Sequence, residues 1–408
     1  MISFEEAQKL IADNSPQSQE KNSVLLEALG CVNSRDIHSP LALPFYNNSA
    51  MDGFAFRSGD TLNATTEKPI RLKIKGTVKA GDTATDSLEK NEAYKIMTGA
   101  VIPDGADTVL AQENATILKD TLLLNKPVPQ GQHIRLKGEE IKEGELVLRK
   151  GSVINPGSIG FLAMMGMKNI TVYEKPRISL IATGSELVAP GVLLRPGKIY
   201  DSNTSMIQAA LDNMRIRPTF VRRTDDDFKT IKKIINFSLK ASDILILTGG
   251  VSTGDYDHVK TLLAETGVKT IFWKVSQKPG KPLYFGKKGS TLVFGLPGNP
   301  AAVFTCFYEY VYPAIRRFMG FQEPFLDCES LPAAESISSD PEKSLFLKAK
   351  TTLVNGKSTV QTLMRQSSHM ISSLHETNAI LLVPPQKPVE KGEKALVHFL
   401  PYEVGVPL

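Results

Sequence analysis

Cysteine is scarce in this 408-residue chain: Cys31, Cys306 and Cys328 lie far apart, with no CxxC pair. That spacing argues against a disulfide framework and a structural zinc site, and for a reducing compartment. The six histidines are scattered, and Cys306 sits in an apolar helical pattern that reads as core, so a nucleophilic triad gains no support. No apolar run approaches the roughly 20 residues needed to span a bilayer. Met1-Ile2-Ser3-Phe4-Glu5-Glu6 lacks the basic and apolar regions of a signal peptide. The expectation is a cytoplasmic protein with no membrane partner. Charge of one sign is also missing, since 48 Lys and Arg face 43 Asp and Glu for a net +5. Without a basic tract, that bias suits an anionic small molecule and not nucleic acid. Gly and Pro are not in excess, and 41% hydrophobic with 22% charged residues is an ordinary globular balance. The length exceeds what one core can organise, so about two to four domains are expected.

Periodicity divides the chain into four zones. Residues 1–50 begin with the capping box Ser3-Phe4-Glu5-Glu6, and helical spacing is expected through Leu10, Ile11, Val24, Leu25, Ala28 and Leu29. Residues 51–137 read as short strands, among them Ile70–Ile74, Thr108–Ala111 and Thr121–Leu124, separated by turns at Ala80-Gly81-Asp82 and Pro103-Asp104-Gly105. Residues 138–175 turn apolar again around Ile159–Met165 and are expected to return to the N-terminal helix, which makes the β domain an insertion. In residues 176–322, strand patterns at Ile178–Ala182, Phe220-Val221, Ile244–Leu247, Lys269–Trp273 and Thr291–Phe294 enclose helical stretches at Ser205–Met214, Phe228–Leu239 and His258–Ala264. Apolar strands separated by helices predict a parallel sheet covered on both faces. A helix over Asn299–Phe318, kinked at Pro313, follows, and residues 323–408 return to strands.

The richest local signal is Ile244–Thr248 running into Gly249-Gly250-Val251-Ser252-Thr253-Gly254-Asp255-Tyr256-Asp257. Glycines let backbone N–H groups approach an anion, and a helix start adds positive potential. Glu186, Asp226, Asp227, Asp255 and Asp257 fall near strand ends of one domain, where ligands of such sheets bind. Their carboxylates suit a Mg²⁺ ion that keeps most of its water, although Asp226 and Asp227 serve equally well as helix caps. Trp273-Lys274-Val275-Ser276-Gln277-Lys278-Pro279-Gly280-Lys281-Pro282 makes a stiff cationic loop for an oxyanion. It is not a Walker A loop, because Gly280 and Gly286 are separated by five residues and Lys287 is followed by Lys288. Gly295-Leu296-Pro297-Gly298-Asn299-Pro300 enters a helix with Asn299 as the expected cap.

Together these strings resemble the molybdopterin molybdenumtransferase family, which includes bacterial MoeA and the gephyrin E domain. Matching segments run in the family's order: Ser49–Ala55, Met97–Ala100, Gly105–Val109, Arg135 with Gly138-Glu139, Thr183–Leu187, Asp201-Ser202-Asn203, Gly249–Asp257, Lys278–Pro282 and Gly295–Pro300. The resemblance implies a multidomain α/β-plus-β protein. It has an N-terminal mixed domain (1–50 and 138–175), an inserted small β domain (51–137), a central doubly wound α/β domain of MogA/MoaB type (176–322) and a C-terminal β-barrel-like domain (323–408).

It further implies an elongated homodimer, with a site formed between the α/β domain of one subunit and the N-terminal and β domains of the other. The implied enzyme binds adenylylated molybdopterin and molybdate, inserts the metal and releases AMP with Mg²⁺. A MogA/MoaB-like molybdopterin adenylyltransferase is the implied partner. The family's catalytic residues fall on Asp52, Thr98, Glu186, Asp226, Asp257, Lys274 and Lys278, with Glu186, Asp226 and Asp257 at the metal. Its binding residues fall on Gly249, Gly250, Ser252, Thr253, Gly254, Lys281, Pro297, Gly298, Asn299, Arg135, Lys348 and Ser368.

Departures from the family pattern are Ser185 for Asp, His133 for Asn, Glu140 for Asp, Ala302 for Ser, Lys348 for Arg, and Gln366-Ser367-Ser368-His369 for a glycine-rich string. Lysine keeps the charge of arginine but loses its bidentate fork, which leaves the choice between molybdate and tungstate open. Two other readings compete with the enzyme: a non-catalytic paralogue that binds or carries molybdopterin, and an interaction scaffold.

Overall fold

The computed structural model describes residues 1–250, 258–354 and 356–403. Two compact units divide the chain: Met1–Ser34, Gly151–Ile159 and Asn169–Leu408 form one, Arg35–Lys150 and Gly160–Lys168 the other. In the first, helix α1 (Phe4–Asn14) starts where Ser3 Oγ accepts from the Glu6 amide at 3.1 Å, and it buries Phe4, Ala7 and Ile11 at helical spacing. The expected helix through Val24–Leu29 is absent. Strand β1 (Glu20–Val24) occupies its start, and Leu25 and Ala28 are buried by a turn that stops at Gly30, whose φ is +78°. One helical turn satisfies the apolar spacing there, so periodicity misread it.

The second unit carries a six-stranded sheet of β2 (Gly53–Phe56), β3 (Ile70–Val78), β4 (Glu92–Ile96), β5 (Thr108–Ala111), β6 (Thr116–Leu118) and β7 (Thr121–Leu124), in the order β5-β2-β4-β3-β7-β6. The apolar segment after it is helix α2 (Pro156–Met164). The chain then re-enters the first unit through β8 (Asn169–Tyr173), which pairs antiparallel with β1. The return to the first unit is made by this strand pair.

The α/β domain contains β9 (Ile178–Thr183), α3 (Ser202–Asn213), β10 (Phe220–Thr224), α4 (Phe228–Ala241), β11 (Ile244–Thr248), α5 (His258–Glu265), β12 (Lys269–Trp273), β13 (Tyr284–Lys288) and β14 (Thr291–Leu296). Their order is β10-β9-β11-β14-β13-β12, and β10, β9, β11 and β14 run parallel. Side-chain alternation sends apolar residues of β9 and β11 to both faces of the sheet. Ile178, Leu180, Ile244 and Ile246 enter one core, and Ile181, Leu245 and Leu247 enter the other, beneath α4 and α5. The sheet is mixed at one edge, because β13 runs antiparallel to both β14 and β12. A tight turn at Gly289, with φ +58°, makes that hairpin.

The expected long helix is three pieces: α6 (Pro300–Cys306), a π-helical segment (Phe307–Val311) and α7 (Tyr312–Phe318). Tyr312 N–H reaches back to Phe307 O across the widened turn just before Pro313, which has no amide hydrogen to donate. The C-terminal strands are β15 (Cys328–Pro332), β16 (Ser344–Val354), β17 (Lys357–Thr362), β18 (Ala379–Val383) and β19 (Lys394–Phe399). Past β15, Ala333 bridges Val360 of β17, so the strands close barrel-like around Leu331, Val360, Leu381 and Val397. Gln277-Lys278 adds to the outer edge of β16 in parallel.

Candidate active site

Four parallel strands end at one edge of the α/β sheet, and each delivers a turn carrying candidate residues. After β11, Gly249 has φ +82° and Gly250 φ +64°. A Cβ on Gly249 would lie 2.3 Å from Thr183 O, and one on Gly250 would lie 2.6 Å from Val259 Cγ2. Both positions therefore demand glycine for conformation and for space. Ser252, Thr253, Gly254 and Asp257 lie outside the described residues.

The turns after β9 and β10 are tied to each other. Asp226 Oδ2 accepts from Ser185 N at 3.1 Å and from Ser185 Oγ at 3.0 Å. Asp227 instead caps α4 by accepting from Thr230 N at 2.8 Å, and Thr230's hydroxyl and amide hold its carboxyl below the usual range. Of the two adjacent aspartates, Asp227 is therefore the helix cap, while Asp226 is turned to Ser185. Glu186 follows Ser185 directly and is exposed. Among the described residues, no three His, Cys, Asp or Glu side chains form a metal-holding group.

After β14 comes Pro297-Gly298-Asn299. Asn203 Nδ2 donates to Gly298 O at 2.8 Å and steadies the turn. Asn299 occupies the cap position of α6 without a side-chain cap bond. Its Nδ2 donates to Ser368 Oγ at 2.9 Å, while the Ala301 amide donates to Ser368 O at 3.0 Å.

The cationic loop is anchored from below. Gln277 is fully buried, receives the Tyr310 hydroxyl and donates to Pro279 O at 3.0 Å. Gly280 packs so closely that a Cβ there would lie 2.5 Å from Cys306 Sγ. Lys278 and Lys281 stay exposed above this anchor, while Lys274, with φ +75°, holds its ammonium 3.8 Å from the centre of the Trp273 ring.

Between this loop, the start of α6 and the C-terminal domain lies a cavity of about 550 Å³, within the range of about 300–1,000 Å³ of small-molecule sites. Lys278, Lys281, Lys343, Asn299, Ser368 and His369 are on its wall, and no carboxylate is among the described lining residues. Lys348 is not on the wall. It is buried, and its amine donates to Arg365 O and, at 2.7 Å, to Met370 O, with burial lowering its pKa. Lys348 thus ties down the loop that presents Ser368. Lys343 and Gln277 escaped sequence reasoning: the first sits in a turn capped by Asp340 with no marking pattern, and the second reads as one more polar loop residue.

Asp52, Thr98 and Arg135 belong to the second unit. Thr98 donates from both its amide and its hydroxyl to Asp52 Oδ1, each at 2.7 Å, and these bonds, the amide first, lower the Asp52 pKa. Arg135 is exposed and pairs through its backbone with Asn48.

The α/β sheet edge thus carries anchored carboxylates and glycine turns beside a lysine-walled cavity with no carboxylate among its described lining residues, an arrangement of the kind found in α/β enzymes. Family models match in succession: MoeA N-terminal region (domain I and II) over residues 2–166, probable molybdopterin binding domain over 179–317, and MoeA C-terminal region (domain IV) over 330–400. A molybdopterin molybdenumtransferase of Staphylococcus aureus is 34% identical over 372 residues, covering 91% of this chain and 89% of its own length. One of Staphylococcus epidermidis is 34% identical over 383 residues, covering 94% and 91%. The crystal structure of a molybdopterin biosynthesis MoeA protein from Pyrococcus horikoshii matches with a TM-score of 0.83 at 27% identity, covering 98% of this chain and 99% of that one. The chain belongs to the MoeA family of molybdopterin molybdenumtransferases. Among the described residues no helix is long and apolar enough to cross a membrane.

Proposed function

We propose that this protein inserts molybdate into adenylylated molybdopterin and releases AMP in a Mg²⁺-dependent step. The observation that carries the reading is the cavity with three lysines and no described carboxylate on its wall. Such a wall attracts a compact dianion, and the Asn299 side-chain amide and the Ser368 hydroxyl add hydrogen-bond donors. Gln277 and Gly280 hold the lysine loop in place before substrate arrives, which spares reorganisation during the reaction.

Glu186 and Asp226 fit Mg²⁺ in donor chemistry. Both are exposed carboxylates in neighbouring turns, and Ser185 pins Asp226 to the turn that bears Glu186. One or two carboxylates plus substrate phosphates are the usual Mg²⁺ set. When bound, the ion would neutralise phosphoanhydride charge. The glycine turn at Gly249-Gly250 lets a phosphate come close to the backbone, and water is the nucleophile we assign. Asp52 is held anionic by Thr98, which makes it an acceptor able to orient a donor group of the substrate. Family membership supports three companions of this reading: a homodimer, a MogA/MoaB-like adenylyltransferase that supplies the substrate, and a cytoplasmic location.

The test is AMP release from adenylylated molybdopterin by the purified protein, with and without molybdate and Mg²⁺. Release that requires Mg²⁺ and rises with molybdate is expected. Tight binding without AMP release would replace the enzyme with a carrier, a reading favoured by Lys348 turning its charge to backbone carbonyls.

A further inference from the structure

Trp273 is the only tryptophan of the chain. It ends β12 and packs against the core that α4 and α5 cover. Two ammonium groups converge on its ring, Lys260 Nζ from α5 at 4.1 Å from the ring centre and Lys274 Nζ at 3.8 Å. Both lie well inside the roughly 6 Å reach of the attraction between a cation and an indole face, the strongest of the aromatic faces. Like charges repel, and the attraction of each ammonium to the ring favours holding both at one side chain. Lys274 also adopts φ +75°, a region disfavoured for any residue with a Cβ, and its amide is held there by Leu283 O at 3.0 Å. The indole N–H of Trp273 is buried with no partner among the described residues. A buried unpaired donor opposes folding, so what the position gains from tryptophan is the ring face and not a hydrogen bond.

Trp273 ends β12 on the sheet edge where β11 runs into the glycine turn, since β12 and β14 are each antiparallel to β13 and β14 is parallel to β11. Val259, the residue before Lys260, is the one whose Cγ2 would lie 2.6 Å from a Cβ on Gly250. Lys260 therefore approaches from the helix that follows the turn, and Lys274 from the end of β12. We propose that Trp273 is a positioning residue that holds Lys260 and Lys274 as paired cations, and that Lys260 binds a phosphoanhydride group of the ligand alongside Lys274. The proposal rests on the phosphoanhydride reading of the site given above.

Inorganic pyrophosphate is the probe, and the fluorescence of Trp273 in the full chain is the reporter. The wild-type protein should show a saturable change. Lys260→Gln should weaken binding by about tenfold or more, the usual loss when one charge-assisted donor is removed. Trp273→Phe keeps an aromatic face, and calorimetry should give it an affinity within about threefold of wild type. Trp273→Leu removes that face, and should lose about tenfold in pyrophosphate affinity and in AMP release while staying folded at the assay temperature, as a melting curve would verify. Equal pyrophosphate affinity in Lys260→Gln and wild type, or in Trp273→Leu and Trp273→Phe, would overturn the pairing while leaving metal insertion untouched. Pyrophosphate binding that responds to these substitutions in a protein releasing no AMP would uphold the pairing and sink metal insertion.

Discussion

Replacing Gly249 with alanine tests whether the turn after β11 is as constrained as its geometry states. Two costs arise. The φ of +82° places a Cβ-bearing residue in the left-handed region, at about 1–2 kcal/mol. The new Cβ also lies 2.3 Å from Thr183 O, where an ordinary carbon–oxygen contact is about 3.3–3.6 Å. The end of β9 must therefore shift by about 1 Å, and such overpacking costs about 1–3 kcal/mol. Alanine returns about 0.4–1 kcal/mol by restricting the unfolded chain, which leaves about 2–4 kcal/mol of destabilisation.

Gly289 is the control. Its φ is +58° in the same sheet's hairpin, and nothing lies within 4 Å of an added Cβ, so Gly289→Ala should cost only about 0.5–1 kcal/mol. With two compact units, unfolding need not be two-state. Urea titration should therefore be followed by Trp273 fluorescence, which reports the α/β domain. Equal midpoints for the two variants would refute the clash argument, because they share the backbone penalty and differ in the contact.

Three further outcomes are expected. His398 Nδ1 lies 2.9 Å from Glu309 Oε1 in a buried pair; burial alone would lower its pKa, but the Glu309 hydrogen bond and charge hold it above the ordinary value. The pair's stabilisation should be complete below the ordinary imidazole range and fade as pH rises through the raised value, a slope in unfolding midpoint against pH that Glu309→Gln should flatten. Lys348→Met removes the donor to Arg365 O and Met370 O. It should cost about 1–3 kcal/mol and weaken molybdate binding, measured by calorimetry, through the loosened loop at Ser368. Ser185→Ala takes one of two donors from Asp226 and should raise the Mg²⁺ concentration for half-maximal AMP release several-fold at an unchanged melting temperature.

Much of the α/β domain was legible because burial on both faces leaves a chemical trace: β9 and β11 have no polar alternation to hide them. The glycine turn and the lysine loop were legible because conformation and charge restrict which residues can stand there. Asp226 and Asp227 could not be separated by sequence, since both precede a helix and only Ser185, far away in the chain, distinguishes them. Tyr284–Lys288 was not among the expected strands, because Gly286, Lys287 and Lys288 break its apolar run after two residues. The orientation of Lys348 depends on two carbonyls supplied by a loop about 20 residues on, and no local pattern carries such information. Val24–Leu29 failed for the opposite reason: a single helical turn and a whole helix have the same apolar spacing.

The pairing of Gln277-Lys278 with Ser344-Leu345 has a mechanical consequence. The lysine loop is a continuation of the C-terminal domain's sheet, and the Ser344 amide also donates to Ser276 O at 3.1 Å. The cavity's two walls are therefore cross-linked, and a hinge that swung them apart would have to break that ladder. On the proposed reading, oxyanions meet a mould of preset width, and exchanging side chains on its lining should shift preference between anions of different radius more readily than altering the segments that join the domains.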